Sequence, residues 1–147
     1  MSKLRIGTCS WKYPSWAGLV YSARHGGINY LAEYATKYDT VEVDQWFWSL
    51  FESGEPKLPR PADVVDYRCS VPADFRFSIK VPNSITLTHF YSKTKGRPLV
   101  PNPYFLSVDL FNSFLEKLDL LGDLVGPIIF QFEYLNRQKV SGQTEFQ

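Results

Sequence analysis

An alternation of apolar and polar residues is clearest between positions 75 and 81 of the chain. Alternation with a period of two is typical of a β-strand that buries one face. Pro82 then ends the strand, because proline has no N–H for a sheet ladder. Residues 40–44 alternate in the same way and are rich in β-branched side chains. These segments predict two strands, whose apolar faces carry Val41, Val43, Phe75, Phe77, Ile79 and Val81.

Two shorter apolar runs complete the predicted strands, at residues 4–8 and 127–132. Apolar residues at helical spacing predict helices over residues 29–38, 62–70 and 105–121. Asn29 is a suitable N-cap for the first of these helices. The last helix carries a continuous apolar stripe and ends before Gly122, which suits a helix C-terminus.

Strands and helices therefore alternate along the chain, with the helix after the fourth strand missing. This order is typical of an α/β fold with a parallel sheet and right-handed crossovers. The connections that follow the strands are long, including residues 45–63 and 83–104, whereas those that precede the strands are short. Functional residues in such folds gather at the carboxyl ends of the strands. We therefore expect the site at that edge of the sheet.

The charge of the chain is nearly balanced. Its formal net charge is +1, from 16 basic and 15 acidic residues. No long-range field favours nucleic acid or an anionic membrane, although a local basic patch stays compatible with this composition. No stretch approaches the roughly 20 apolar residues of a membrane span, and the first residues lack the apolar run of a signal peptide. We expect a cytoplasmic protein with no membrane partner.

The two cysteines, Cys9 and Cys69, form no CxxC pair and no zinc-binding spacing. A cytoplasmic location predicts that both thiols are reduced. We expect Cys9 to be a small buried apolar residue rather than a nucleophile.

Four ordered motifs resemble one known family. They read Ile6-Gly-Thr-Cys-Ser-Trp11-Lys-Tyr13 with Trp16-x-Gly18 and Tyr21, Thr40-Val-Glu42-Val, Phe75-Arg-Phe-Ser-Ile-Lys80-Val-Pro82 with Ile85-Thr86 and His89, and Gly126-Pro-Ile-Ile-Phe130-Gln131-Phe132. Together they are similar to domain of unknown function 72, the YecE-like family. The resemblance implies a TIM-type (β/α)8 barrel without an established biochemical function.

A TIM-type barrel needs about 250 residues, so the resemblance implies that residues 1–147 are a single domain and the N-terminal half of a barrel. The C-terminal half is absent from this sequence. Two segments depart from the family pattern. Asp44-Gln-Trp46-Phe-Trp48 stands where many members have Asn and a Thr-Phe-Tyr run, and Phe132-Glu133-Tyr134 stands where a proline pair is common. We interpret these departures as a sub-branch.

Strand parity predicts which side chains face the barrel axis. The helix-facing side of a parallel strand is apolar, so Arg76, Ser78 and Lys80 must point the other way. The same parity places Ile128, Phe130 and Phe132 of the fourth strand toward the helices. The side chains expected to converge at the strand ends are Glu42, Asp44, Lys80, Gln131 and Glu133.

Buried charges cost several kcal/mol each unless they are paired or bound. We therefore take Glu42, Asp44, Lys80 and Glu133 as candidate catalytic residues, with the carboxylates as acid, base or metal ligands. Lys80 could be an electrostatic clamp, a phosphate contact or a Schiff-base nucleophile, and the clamp or a structural ion pair is the favoured role. A charge network that fills the barrel, or a solvated rim, is the structural alternative.

A cofactor is not specified by any motif. Two carboxylates with His89 could hold a divalent cation such as Mg²⁺, Mn²⁺ or Zn²⁺, but their spacing matches no known metal site.

The candidate substrate-binding residues are Trp11, Trp16, Trp46, His89 and Gln131. The tryptophans follow the first two strands, and rings at a pocket mouth suit stacking on sugars or bases. Packing of the loops against the barrel is the alternative role. His89 lies in a polar loop, where a hydrogen-bonded surface histidine is an equally good interpretation.

Three functional hypotheses follow. The first is an enzyme that acts on a small polar substrate, a sugar or a phosphate-bearing compound. The second is a nucleic-acid-processing or binding barrel, which the near-neutral charge disfavours. The third is an inactive truncated or split-barrel fragment, which needs its missing C-terminal half or self-association because the sheet edges are open.

Overall fold

The computed structural model describes residues 3–22, 27–50, 54–91, 98–137, 139, 142 and 144. The helices are α1 Tyr30–Tyr34, α2 Pro61–Cys69, α3 Asn83–Thr86 and α4 Val108–Leu118, and the strands are β1 Thr40–Val43, β2 Arg76–Lys80 and β3 Val125–Ile129. Short 3-10 helices form at Pro14–Trp16 and Asp119–Leu124. Parts of both predicted long connections, residues 51–53 and 92–97, lie outside the described residues.

The strands form one parallel sheet in the order β1-β2-β3. β1 pairs with β2 in the register Thr40↔Arg76 to Val43↔Ile79. β2 pairs with β3, with Ile79↔Ile128 and Lys80↔Ile129 in register. The prediction of an α/β fold with a parallel sheet is therefore confirmed.

The apolar side chains that alternate along β1 and β2 are buried, as predicted. Val41, Val43, Phe75, Phe77, Ile79 and Val81 are all at most 1% exposed. Their core partners come from the helix layer and include Leu31, Tyr34, Val64, Phe114 and Leu118. The opposite face of the two strands carries Thr40, Glu42, Arg76, Ser78 and Lys80, which are only partly buried.

The predicted cap at Asn29 is confirmed, whereas α4 begins at Val108, three residues later than predicted. The Asn29 side chain accepts a hydrogen bond from the Ala32 amide at 3.1 Å, and Ser107 caps α4 by accepting one from the Leu110 amide at 3.2 Å. Both helices are shorter than predicted, because α1 ends at Tyr34 and α4 passes into a 3-10 helix after Leu118. Among the helices of the described residues, none has the length and apolar character that a membrane span requires.

The predicted first strand is wrong: residues 4–8 form no strand. Only a single parallel bridge, Cys9↔Glu42, joins this segment to β1. The Tyr34 hydroxyl takes the place of a direct backbone hydrogen bond between Thr8 and Thr40. The Thr8 amide donates to this hydroxyl at 2.8 Å, and the hydroxyl donates to the Thr40 carbonyl at 3.0 Å. The segment also lies very close to β1, because a Cβ on Gly7 would come within 2.0 Å of the Thr40 carbonyl oxygen.

The predicted last strand is displaced. β3 begins at Val125 and ends at Ile129, whereas residues 127–132 were expected. The register shifts between Phe77 and Ile79 of β2, because Pro127 has no N–H to donate and an extra residue is accommodated as a bulge. The strand ends at Ile129, so Phe130, Gln131 and Phe132 lie beyond it and are exposed. The Phe130 ring still contacts Phe111 of α4, with 5.2 Å between the ring centroids, on the helix side that parity predicts.

We predict that Tyr34→Phe lowers the free energy of unfolding by about 1–2 kcal/mol, because it leaves the Thr8 amide and the Thr40 carbonyl without their shared partner. Urea unfolding and amide exchange at Thr8 measure the effect. Tyr38→Phe is the matched control, because its ring stacks on Tyr34 at 4.7 Å and it removes a hydroxyl outside this bridge. Equal stability of Tyr34→Phe and the parent protein would contradict the account.

Candidate functional site

A charged pair lies at the carboxyl ends of β1 and β2. Lys80 Nζ is 2.9 Å from Glu42 Oε1, and the side chains are 17% and 26% exposed. Glu42 lies opposite Ser78 in the sheet, so Lys80 is its diagonal neighbour on the same face. Long side chains reach across such a diagonal. The sequence prediction that these two residues share one face is confirmed.

The Cys9 thiol belongs to the same cluster. Cys9 Sγ donates a hydrogen bond to Glu42 Oε1 at 3.1 Å and is 3.8 Å from Asp44 Oδ2. The parallel bridge between Cys9 and Glu42 places the thiol there. Cys9 is exposed, so the expectation of a buried apolar residue is wrong. We refer to Cys9, Glu42, Asp44 and Lys80 as the strand-end cluster.

The ionisation of the cluster limits its chemistry. Burial tends to raise the pKa of Glu42, but the hydrogen bonds from Lys80 and Cys9 outweigh it and hold that pKa below its ordinary value. The hydrogen bond to Glu42 raises the pKa of Lys80. Near neutral pH the pair is therefore a carboxylate and an ammonium. A protonated amine is a donor and an electrostatic anchor, not a Schiff-base nucleophile.

The thiol is held neutral for a related reason. Although the residue as a whole is exposed, the neighbouring atoms partly desolvate the thiol, and this desolvation, followed by the hydrogen bond and the charge of Glu42, raises the pKa of Cys9 to about 11. Because the thiolate is the reactive form of cysteine, Cys9 is a poor nucleophile at neutral pH. Its thiol instead supplies a hydrogen bond to the Glu42 carboxylate.

The loop after β1 provides a wall beside the pair. Lys80 Nζ lies 5.8 Å from the centre of the Phe47 ring, within the range of a cation–π contact. Asn83 fixes this loop, because its amide donates to the Phe47 carbonyl at 2.7 Å and its Oδ1 accepts from the amides of Ser49 and Leu50, both at 2.9 Å. Asn83 and Ser49 are buried.

Glu133 takes part in a different set of contacts. Its Oε1 accepts hydrogen bonds from the amide of Thr88 at 3.1 Å and from the Thr88 hydroxyl at 2.8 Å. Its Oε2 forms an ion pair with Lys139. His89 Nδ1 is 2.9 Å from the same Thr88 hydroxyl. The structure therefore brings Glu133 and His89 together through Thr88, whereas parity predicted Glu133 beside Glu42.

The tryptophans pack mainly as structural residues. Trp11 and Trp46 are 1% and 7% exposed and lie in the core, where both contact the Tyr67 ring. Trp16 is half-buried between Tyr13 and Tyr21. These positions agree with the alternative role in loop packing. Gln131 is exposed, and its role in substrate binding stays a prediction.

Within the described part of the chain, no three His, Cys, Asp or Glu side chains are grouped to hold a metal ion. Two grooves of about 600 and 530 Å³ lie away from the strand-end cluster. The first is at the amino ends of the strands, beside Ile6 and Asp39, and the second lies between α1 and α2, beside Tyr30 and Tyr67. Neither groove is lined by Glu42 or Lys80.

Sequence reasoning missed four contributors: Cys9, Phe47, Asn83 and Thr88. The Cys9 position could have been inferred from parity, had the first segment been paired with β1. The contacts of Phe47, Asn83 and Thr88 depend on loop conformation, which has no periodic signal in sequence.

The fold and this cluster define an α/β protein with paired charges at the carboxyl ends of parallel strands. The chain belongs to the family described as protein of unknown function DUF72, whose model matches residues 5–143. Among curated proteins, none matches the chain.

Two crystal structures of a DUF72 family protein from Enterococcus faecalis V583 resemble the chain. One is 22% identical with a TM-score of 0.58, and the match covers 88% of this chain and 39% of the other. The second is 21% identical with a TM-score of 0.52, and the match covers 87% and 39%. At this identity the likeness shows the fold alone. The chain spans well under half the length of these solved relatives.

Proposed function

We propose that the chain is the N-terminal half of a TIM-type β/α barrel. The three strands are parallel and adjacent in chain order, as consecutive barrel strands are. The segment that contains Cys9 extends the same order at the outer edge of β1. The 39% coverage of the solved relatives is consistent with a partial barrel.

Both edges of the sheet carry exposed apolar side chains. Leu4 and Ile6 lie on the segment beyond β1, and Phe130 and Tyr134 follow β3; all four are exposed. Open strand edges with apolar neighbours are sites of association. We propose that further β/α units cover them, supplied by the remainder of such a barrel or by a second copy of this chain.

Light scattering after size exclusion tests this closure. We expect about twice the chain mass of 17.0 kDa, and Ile6→Lys and Phe130→Lys should shift the protein toward monomer. Leu19→Lys, on an exposed loop residue, is the matched control and should leave the mass unchanged. A monomer that binds the dye ANS favours the remainder of a barrel over a second copy. A monomer that unfolds sharply and binds no ANS contradicts the proposal.

For the site, we propose an enzyme that binds a small polar substrate at the strand-end cluster. The single observation that carries this proposal is the partly exposed Glu42–Lys80 pair at 2.9 Å. A carboxylate with a lowered pKa is ready to accept a proton or a hydroxyl hydrogen bond. The ammonium donates to a substrate oxygen and stabilises negative charge that develops there.

The charge of the strand-end cluster favours a sugar-like substrate over a phosphate-bearing one. The cluster holds two carboxyl groups and one ammonium: Lys80 pairs with Glu42, Asp44 Oδ2 lies 3.8 Å from the Cys9 thiol, and that thiol is neutral. An excess of negative charge repels a phosphate ester but accepts hydrogen bonds from neutral hydroxyl groups. A sugar-like ligand therefore suits this half of the site better than a phosphate-bearing one.

NMR titration of the ¹⁵N-labelled chain with glucose, ribose and their monophosphate esters tests the proposal. We expect neutral sugars to shift the signals of Cys9, Glu42 and Lys80 and to bind more tightly than the esters. Glu42→Gln and Lys80→Met should each weaken binding by about tenfold or more, because a hydrogen bond to a charged group contributes about 1.5–3 kcal/mol.

Lys3→Met is the matched control, because Lys3 also contacts two carboxylates, Asp39 and Asp74, but at the amino ends of the strands. It should leave binding unchanged. The proposed function would be refuted if no compound in the panel bound, or if Glu42→Gln and Lys80→Met bound the sugars as tightly as the parent protein.

A further inference from the structure

Three side chains outside the strand-end cluster form a continuous hydrogen-bonded chain. The Thr88 hydroxyl lies 2.8 Å from Glu133 Oε1 and 2.9 Å from His89 Nδ1. Thr88 is 8% exposed, whereas His89 is half-buried. His89 is therefore less deeply buried than Thr88, whose hydroxyl contacts its Nδ1.

The backbone holds this chain in place. His89 forms an antiparallel bridge with Pro101, and the Asn102 amide donates to the Thr88 carbonyl at 2.9 Å. The Phe90 amide donates to the Val100 carbonyl at 2.9 Å. These bonds flank Thr88 and His89 and hold the backbone of both residues in place.

The hydrogen bonds permit one arrangement of protons. Glu133 pairs with Lys139 and also accepts from the Thr88 amide. Burial tends to raise the pKa of Glu133, but these partners lower it overall, so the group is a carboxylate. A carboxylate only accepts hydrogen bonds, and a hydroxyl has a single proton. The Thr88 proton must point to Glu133, and His89 Nδ1 must carry the proton that it donates to Thr88.

We propose that His89 is a base with its proton fixed on Nδ1, so that the Nε2 lone pair accepts a proton from a hydroxyl-bearing small molecule. In that step the O–H bond of the ligand breaks, its electron pair stays on oxygen, and the proton binds to Nε2. The Thr88 hydroxyl, itself bound to the Glu133 carboxylate, holds the imidazole in this tautomer. Thr88 and Glu133 are positioning residues, and the inference uses no residue of the strand-end cluster.

The tautomer of His89 is directly measurable by long-range ¹H–¹⁵N NMR of the full chain at a pH where the ring is neutral. The chain has two histidines, so His25→Gln assigns the signals. We expect the Nδ1–H form in the parent protein and a shift toward the Nε2–H form in Thr88→Val. Thr86→Val is the matched control, because the buried Thr86 hydroxyl has no hydrogen-bond partner among the described residues, and it should leave the tautomer unchanged.

Hydrolysis of para-nitrophenyl acetate is the second readout, because it detects an accessible imidazole lone pair. Nε2 attacks the acetyl carbon, nitrophenolate leaves with the electron pair of the C–O bond, and water then hydrolyses the acetylimidazole. We expect a several-fold loss of rate in His89→Gln but not in His25→Gln. An Nε2–H tautomer in the parent protein, an equal shift in Thr86→Val, or equal rates in the two histidine variants would overturn the proposal.

Discussion

The parallel register of β1 with β2 is the constraint on which the rest of the structure depends. Side chains alternate across a strand, so pairing Thr40 with Arg76 places every apolar side chain of both strands on the helix side. The same register leaves Glu42 and Lys80 as diagonal neighbours on the other face. A slip of one residue would turn the side chains of the slipped strand to the other face and bury its charged residue in the core. The apolar core and the charged pair therefore depend on the same register.

The loops that follow β1 and β2 are held together by buried amides rather than by apolar packing alone. Asn83 ties the turn that carries Phe47 to the end of β2. Asn102 donates to the carbonyls of Ser84 and Leu87 at 2.8 and 2.7 Å and so attaches the next loop to α3. Buried polar groups that are fully bonded specify a single arrangement. This accounts for an ordered edge around the strand-end cluster.

Periodic segments could be predicted from the sequence, because their signal is local. The alternation of residues 40–44 and 75–81 predicted two strands and the faces of their side chains, and Asn29 predicted a helix start. The strand predicted at residues 4–8 does not form, because the hydroxyl of Tyr34, which is distant in sequence, replaces a ladder bond. The last strand was displaced by a bulge at Pro127.

The candidate site shows the same division between local and long-range information. The alternation of side chains along β1 and β2 was sufficient to predict that Glu42 and Lys80 lie close together. Glu133 lies beyond the end of β3, where parity no longer applies, and its partner Thr88 comes from a loop. Cys9 joins the cluster through one bridge that apolar patterning does not reveal.

An NMR pH titration of the Glu42 carboxyl carbon and the Lys80 ammonium nitrogen tests the central claim most directly. The account requires an ionised pair across the neutral range, with the pKa of Glu42 below and that of Lys80 above their ordinary values. The pKa of Glu42 should rise in Lys80→Met, and the pKa of Lys80 should fall in Glu42→Gln. Titration of Lys80 near neutral pH, or a Glu42 pKa that is unchanged in Lys80→Met, would contradict the account.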